Sequence, residues 1–116
     1  MAMTLPVTST RGRYLAGPLE LDLDAHRVTV AGVPIAVSRI EMRLLTDLVT
    51  HGGRARTRAE LLTHVWGYSA ATNTRAPIIH VARLRAKLGE AAGLIETVYG
   101  VGYRFSTRYP IEHRRA

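Results

Sequence analysis

Residues 75–88 read RAPIIHVARLRAKL: four cations, one histidine and no acid, laid over a helical repeat. At about 100° per residue, Val81, Leu84 and Leu88 share one arc with Ile78 at its margin, so a helix here can dock on a core. The opposite arc carries His80, Arg83 and Lys87, with Ala76 just before it. The DNA major groove is wide enough to admit such a helix and rich in guanine acceptors, so a helix oily behind and basic in front suits it. Taken alone, an ordinary solvated helix fits the pattern as well.

The flanking segments narrow the choice. Pro77 belongs in a first helical turn, where its missing N–H has no intrahelical partner to lose, and Gly89 marks the stop. Upstream, Ser38-Arg39-Ile40-Glu41 and Thr57-Arg58-Ala59-Glu60 both match the capping box, in which hydroxyl and carboxylate satisfy free backbone N–H groups reciprocally. The first opens a helix with Ile40, Leu44, Leu45, Leu48 and Val49 on one face, ending at Gly52-Gly53. The second opens a shorter helix with Leu61, Leu62, Val65 and Trp66 inward, ending near Gly67. Residues 67–74, GYSAATNT, carry no periodicity and read as a loop.

Before the helices the pattern alternates: Leu19, Leu21 and Leu23, then Val28 and Val30, then Val33, Ile35 and Val37, giving three or four short antiparallel strands. After them, Leu94 to Val98 and Tyr103 to Thr107 are β-prone runs around Gly100-Val101-Gly102, a hairpin signature. Strands, three helices and a hairpin in that order make an α+β winged helix-turn-helix. Its N-terminal part is a small antiparallel sheet, and its C-terminal hairpin is the wing beside the third helix.

A chain of 116 residues is one domain's worth. Residues 1–13 read as a flexible tail or linker remnant, 14–109 as the winged-helix domain and 110–116 as a basic C-terminal tail. No Cys is present, which removes disulfides and thiolate metal sites. No apolar run approaches a membrane span and the N-terminus lacks a signal-peptide block, so a cytoplasmic protein is expected. Sixteen Lys and Arg against nine Asp and Glu leave a net charge of +7, which favours a polyanionic partner. From Arg54 to Lys87 the cations are Arg54, Arg56, Arg58, Arg75, Arg83, Arg85 and Lys87 against Glu60 alone. His26, His51, His64, His80 and His113 share no metal spacing, and no phosphate loop or nucleophile with base and orienting acid is visible. Neither catalysis, a metal nor a cofactor is expected.

From Leu19 to Tyr109 the sequence resembles the C-terminal effector domain of OmpR/PhoB-type response regulators, which are bacterial transcription factors. The matching blocks are the Glu41 helix start with Leu44-Leu45, LLTHVWGY at 61–68, Arg75 through HVARLRAKL ending at Leu88, and TVYGVGYRF at 97–105. The resemblance implies sequence-specific double-stranded DNA binding, with helix 76–88 in the major groove and the wing, about 94–107, near the adjacent minor groove. Arg83 matches the arginine directed at bases, and a bidentate Arg to guanine contributes roughly 1 to 3 kcal/mol of discrimination. His80 and Arg75 match positions near phosphates at the helix start, with His80 also a candidate for base readout beside Ile79, at the edge of the exposed arc. Trp66 matches a tryptophan packed in the core whose indole N–H can reach a phosphate. Thr97 and the wing glycines, Gly100 among them, match the family's backbone contacts; Tyr99 at the turn is taken as a further backbone contact, and Tyr103, in the matching GYRF ending, as a contact or a core residue. Arg85 lies off the basic arc, which leaves it to pair with an acid or touch a phosphate from the side. Lys87, Arg54, Arg56 and Arg58 would add attraction to phosphates.

The resemblance further implies direct-repeat sites occupied by a head-to-tail dimer, an isolated domain that self-associates weakly, and RNA polymerase contact through the 67–74 loop at Tyr68, Ser69 and Asn73. Location at the nucleoid would follow. The phosphoacceptor region of a receiver domain has no counterpart in the 116 residues, which leaves an effector end or a free-standing relative. The family commonly has Thr-Val-Asp-Val where this chain has Ala76, Pro77, Ile78 and Ile79, and often Arg where it has Tyr99. A different target sequence is expected. The competing reading is a winged helix turned protein-interaction module, since fold does not fix function.

Overall fold

The computed structural model describes residues 11–115. The N-terminal strands are β1 (Arg13–Ala16), β2 (Leu19–Asp22), β3 (Arg27–Val30) and β4 (Val33–Ile35), each antiparallel to the next. Alternation in β1 to β3 sends Tyr14, Ala16, Leu19, Leu21, Val28 and Val30 into the core, while Val33 on β4 stays exposed. A strand absent from the sequence reading completes the sheet: Glu112–Arg114, here β8, pairs with β1 and gives the order β4-β3-β2-β1-β8. The segment read as a basic tail is therefore partly built into the fold. Its anchor is non-local, the His113 ring stacking on Tyr14 with centroids 4.2 Å apart. The other expected tail begins outside the described residues, but Arg13 already belongs to β1.

Both capping boxes form. Ser38 opens α1 (Arg39–Thr50), its Oγ accepting from Glu41 N–H at 3.1 Å while Glu41 Oε1 accepts from Ser38 N–H at 2.8 Å. Thr57 and Glu60 repeat the exchange at the start of α2 (Arg58–Leu61), which relaxes into a π-type turn over Leu62–Trp66. Gly67, at φ 71°, ends it. The third helix, α3, runs from Ala76 to Leu88 and stops at Gly89, followed by a 3-10 turn through Leu94.

The wing is β6 (Ile95–Val98) and β7 (Gly102–Phe105), and the two-residue β5 (Arg56–Thr57) extends it to the order β5-β7-β6. Val101 N–H donates to Val98 C=O, and Gly100 has φ 78° at the third turn position, the pattern of a type II turn that favours glycine there. Gly102 lies so close to the Arg56 carbonyl that a Cβ would collide with it. One core joins the layers: Leu21 and Val28 from the sheet, Leu44, Leu45 and Leu48 from α1, Leu61 from α2, Leu84 and Leu88 from α3 and Phe105 from the wing.

Candidate nucleic-acid interface

The three helices and the wing leave one side of α3 open. Pro77, Val81, Leu84 and Leu88 are buried and set the inward direction. Pro77 lies inside the arc spanned by the other three at about 100° per residue, which leaves that direction unchanged and puts Ile78 well away from its centre. Ile78, expected at the core margin, is consequently 50% exposed, and Ile79 is 42% exposed. The outward side is thus formed by Ile78, Ile79, Ala82, Arg83 and Ala86, all exposed, rather than by a run of cations centred on His80 and Lys87.

Most of the central cations are held by the protein itself. Arg85 Nε and Nη2 donate to Ile95 C=O at 3.1 and 2.7 Å, and Nη2 also donates to Thr97 Oγ1 at 2.8 Å. Its guanidinium lies 5.7 Å from the Tyr103 ring centroid. Arg85 therefore clamps α3 to the wing through its Nε and Nη2. Lys87 Nζ lies 2.6 Å from Glu41 Oε1, a carboxylate 2% exposed. Burial pushes that carboxyl up, but the hydrogen bonds from Lys87 and Ser38 and the Lys87 charge outweigh it and leave it below the ordinary carboxylate range.

Two residues expected at phosphates are likewise held. Arg56 is buried, with Nε donating to Asp47 Oδ1 at 2.7 Å, Nη1 3.3 Å from Glu60 Oε2 and Nη2 3.2 Å from His64 Nδ1. A guanidinium only donates, so His64 Nδ1 is the acceptor there. The Asp47 hydrogen bond is the main reason that the Arg56 pKa is raised. Arg58 Nη2 donates to the carbonyls of Thr72 and Thr74, pinning the base of the loop after Trp66. Among the described residues, Arg54, Arg75 and Arg83 remain from that set, exposed and without a hydrogen-bonded or ion-paired side-chain partner.

The start of α3 offers few backbone donors. Ala76 N–H donates to Thr74 Oγ1, Pro77 has none, and Ile79 N–H donates to Arg75 C=O, which leaves Ile78 N–H. His80 is half-buried, its Nδ1 2.8 Å from Ala76 C=O. A carbonyl only accepts, so Nδ1 carries the proton, and the neutral ring has Nε2 left as an acceptor. The ring meets Trp66 edge-on with centroids 5.4 Å apart. Trp66 Nε1 is buried without a hydrogen-bond partner, so the indole N–H does not face a phosphate from its present position, and the core-packing part of the expectation for Trp66 stands.

On the wing, Thr97 Oγ1 accepts from Arg85 yet keeps its own proton to donate. Tyr103 supports Arg85 while pairing with Arg56 across β7 and β5. At the turn, Tyr99 is 91% exposed, with Gly100 beside it. In the loop, Tyr68, Ser69 and Asn73 are all exposed, and Ser69 also closes a local turn by accepting from Ala71 N–H and Thr72 N–H. The sequence reading missed Ile78, Ala82 and Ala86 as surface residues of α3, although the helical phase of Val81, Leu84 and Leu88 already sets all three well outside the buried stripe.

The arrangement has known counterparts. The family described as "Transcriptional regulatory protein, C terminal" matches residues 32–105. The phosphate regulon transcriptional regulatory protein PhoB of Pseudomonas aeruginosa is 46% identical over 93 residues, covering 79% of this chain and 41% of that protein. The chain thus spans less than half the length of such curated relatives. The DNA-binding domain of Klebsiella pneumoniae RstA, solved in complex with the RstA box, superposes with a TM-score of 0.75 at 30% identity, covering 81% of this chain and 96% of that one. The DNA-binding domain of the response regulator AdeR, in complex with an intercistronic region, gives 0.68 at 28% identity, over 79% and 96%. With its sheet, capped helices and wing in the same order, the chain belongs to the OmpR/PhoB-type family of transcriptional-regulator C-terminal domains, which are DNA-binding modules and not enzymes.

Proposed function

We propose that this chain binds double-stranded DNA sequence-specifically as part of a bacterial transcriptional regulator, with α3 in the major groove and the β6–β7 wing beside the adjacent minor groove. The observation that carries the reading is Arg83, exposed and unpaired among the described residues on a helix whose other late cations are held by the protein. Arg83 reads a guanine, His80 offers Nε2 to an exocyclic amine, and Ile79 supplies an apolar contact. Arg75, Arg54, Thr97, Gly100 and Tyr99 meet the backbone, with Tyr103 behind them.

The whole regulator would occupy direct repeats as a head-to-tail dimer and meet RNA polymerase through Tyr68 and Asn73, in the cytoplasm at the nucleoid. No described helix is long and apolar enough to cross a membrane. Selection of bound duplexes from a random library, followed by mobility shifts, tests the reading. An enriched motif is expected, with log affinity falling against log salt at about −0.9 per phosphate neutralised. Binding indifferent to duplex sequence and salt would instead favour the protein-interaction module.

A further inference from the structure

The outward side of α3 is largely apolar. Ile78 and Ile79 stand half-exposed one turn before Arg83, and Ala82 and Ala86 are exposed on either side of it. A surface meant only for water or phosphates gains nothing from two exposed isoleucines beside an unpaired arginine. In the major groove the apolar feature that base edges present is the C5-methyl group of thymine. The alanines lack the length to reach past the backbone, so they let the helix approach closely enough for the isoleucines to touch it.

We infer that Ile79, with Ile78 at its flank, forms a methyl-reading patch that makes one or two thymines part of the target, next to the guanine read by Arg83. This rests on the DNA-binding reading above. Ile79 and Arg83 are four residues apart, about 6 Å along the helix axis, and base pairs are stacked about 3.4 Å apart. The thymine therefore lies within about two base steps of the guanine.

The test replaces each thymine of the selected duplex with deoxyuridine, one position at a time, leaving every hydrogen-bonding group in place and removing only the methyl. Burying one methyl corresponds to about fourfold in affinity. The expected result is a loss of about that size at one or two positions near the guanine. Ile79→Ala should bind the thymine duplex about as weakly as the natural chain binds the deoxyuridine duplex, and should no longer distinguish the two. Its melting temperature should be unchanged, since Ile79 is exposed. Indifference to every deoxyuridine, or an Ile79→Ala variant that still senses the methyl, would overturn the patch. An enriched motif with no methyl dependence would sink this inference alone, whereas no motif at all would sink the DNA reading beneath it.

Discussion

Arg83 and Arg85 sit two residues apart on one helix and do opposite work. Arg83 projects from the outward side with no polar partner among the described residues, while Arg85 gives its guanidinium to a wing carbonyl, a wing hydroxyl and an aromatic face. The difference is about 200° of helical rotation. A cation at the rim of a helix's buried stripe finds the backbone of the neighbouring element within reach and is captured by it. A cation on the far side finds only solvent and is left for a ligand. The same division separates Lys87, tied to Glu41, from Arg75, which is free. Net positive charge therefore overstates the charge available to DNA.

The captured side should dominate stability. The largest effect is expected at Arg56→Ala, which leaves the Asp47 carboxylate, 10% exposed, without the guanidinium and should cost about 3–5 kcal/mol in urea unfolding. A loss under about 1 kcal/mol would mean that the pair is no more than a surface contact. Arg85→Ala should cost about 1.5–3 kcal/mol and loosen the wing, because a charge-assisted bond to a part-buried carbonyl is lost.

The free side should show the reverse. Arg83→Ala should weaken binding to the selected duplex by about 1–3 kcal/mol with the unfolding midpoint unchanged. Arg75→Ala should act more gently and equally on all duplexes, making the salt slope shallower by about 0.9. If Arg85→Ala lost specificity while Arg83→Ala lost stability, the two roles would be reversed.

Acid sharpens the same contrast. The folded-state pKa values of Glu41 and Glu60 are lowered, Glu41 by Lys87 and Ser38 against its burial and Glu60 chiefly by the Thr57 backbone hydrogen bond. A lowered carboxyl pKa contributes stability above its unfolded value, about 4.3, and that contribution drains as pH falls through the folded value. Stability should thus decline below about pH 4, and Lys87→Met should decline less steeply because Glu41 has lost its cation. Identical acid slopes in the two chains would separate Lys87 from Glu41.

Local chemistry was the legible part of the fold. Ser38 to Glu41 and Thr57 to Glu60 announce helix starts because cap and partner are three residues apart, and both boxes form. β8 could not be read: Glu112-His113-Arg114 has no apolar alternation and is placed by β1, about a hundred residues away in sequence. The fate of the cations was hidden for the same reason. Lys87 meets Glu41 across 46 positions and Arg58 meets Thr72 and Thr74 across a loop, so a count of basic residues could not show which were already paired. The exposure of Arg83 was readable because helical phase alone sets it away from the buried stripe.

The most direct test pairs Arg83→Ala with a 7-deazaguanine in the selected duplex, which removes the N7 acceptor and little else. Affinities of the four combinations form a cycle. If Arg83 grips that guanine, either change alone should weaken binding and 7-deazaguanine should add almost nothing once Arg83 is gone, giving a coupling of about 1 kcal/mol or more at one position. Losses that simply add at every guanine would show that Arg83 touches no base.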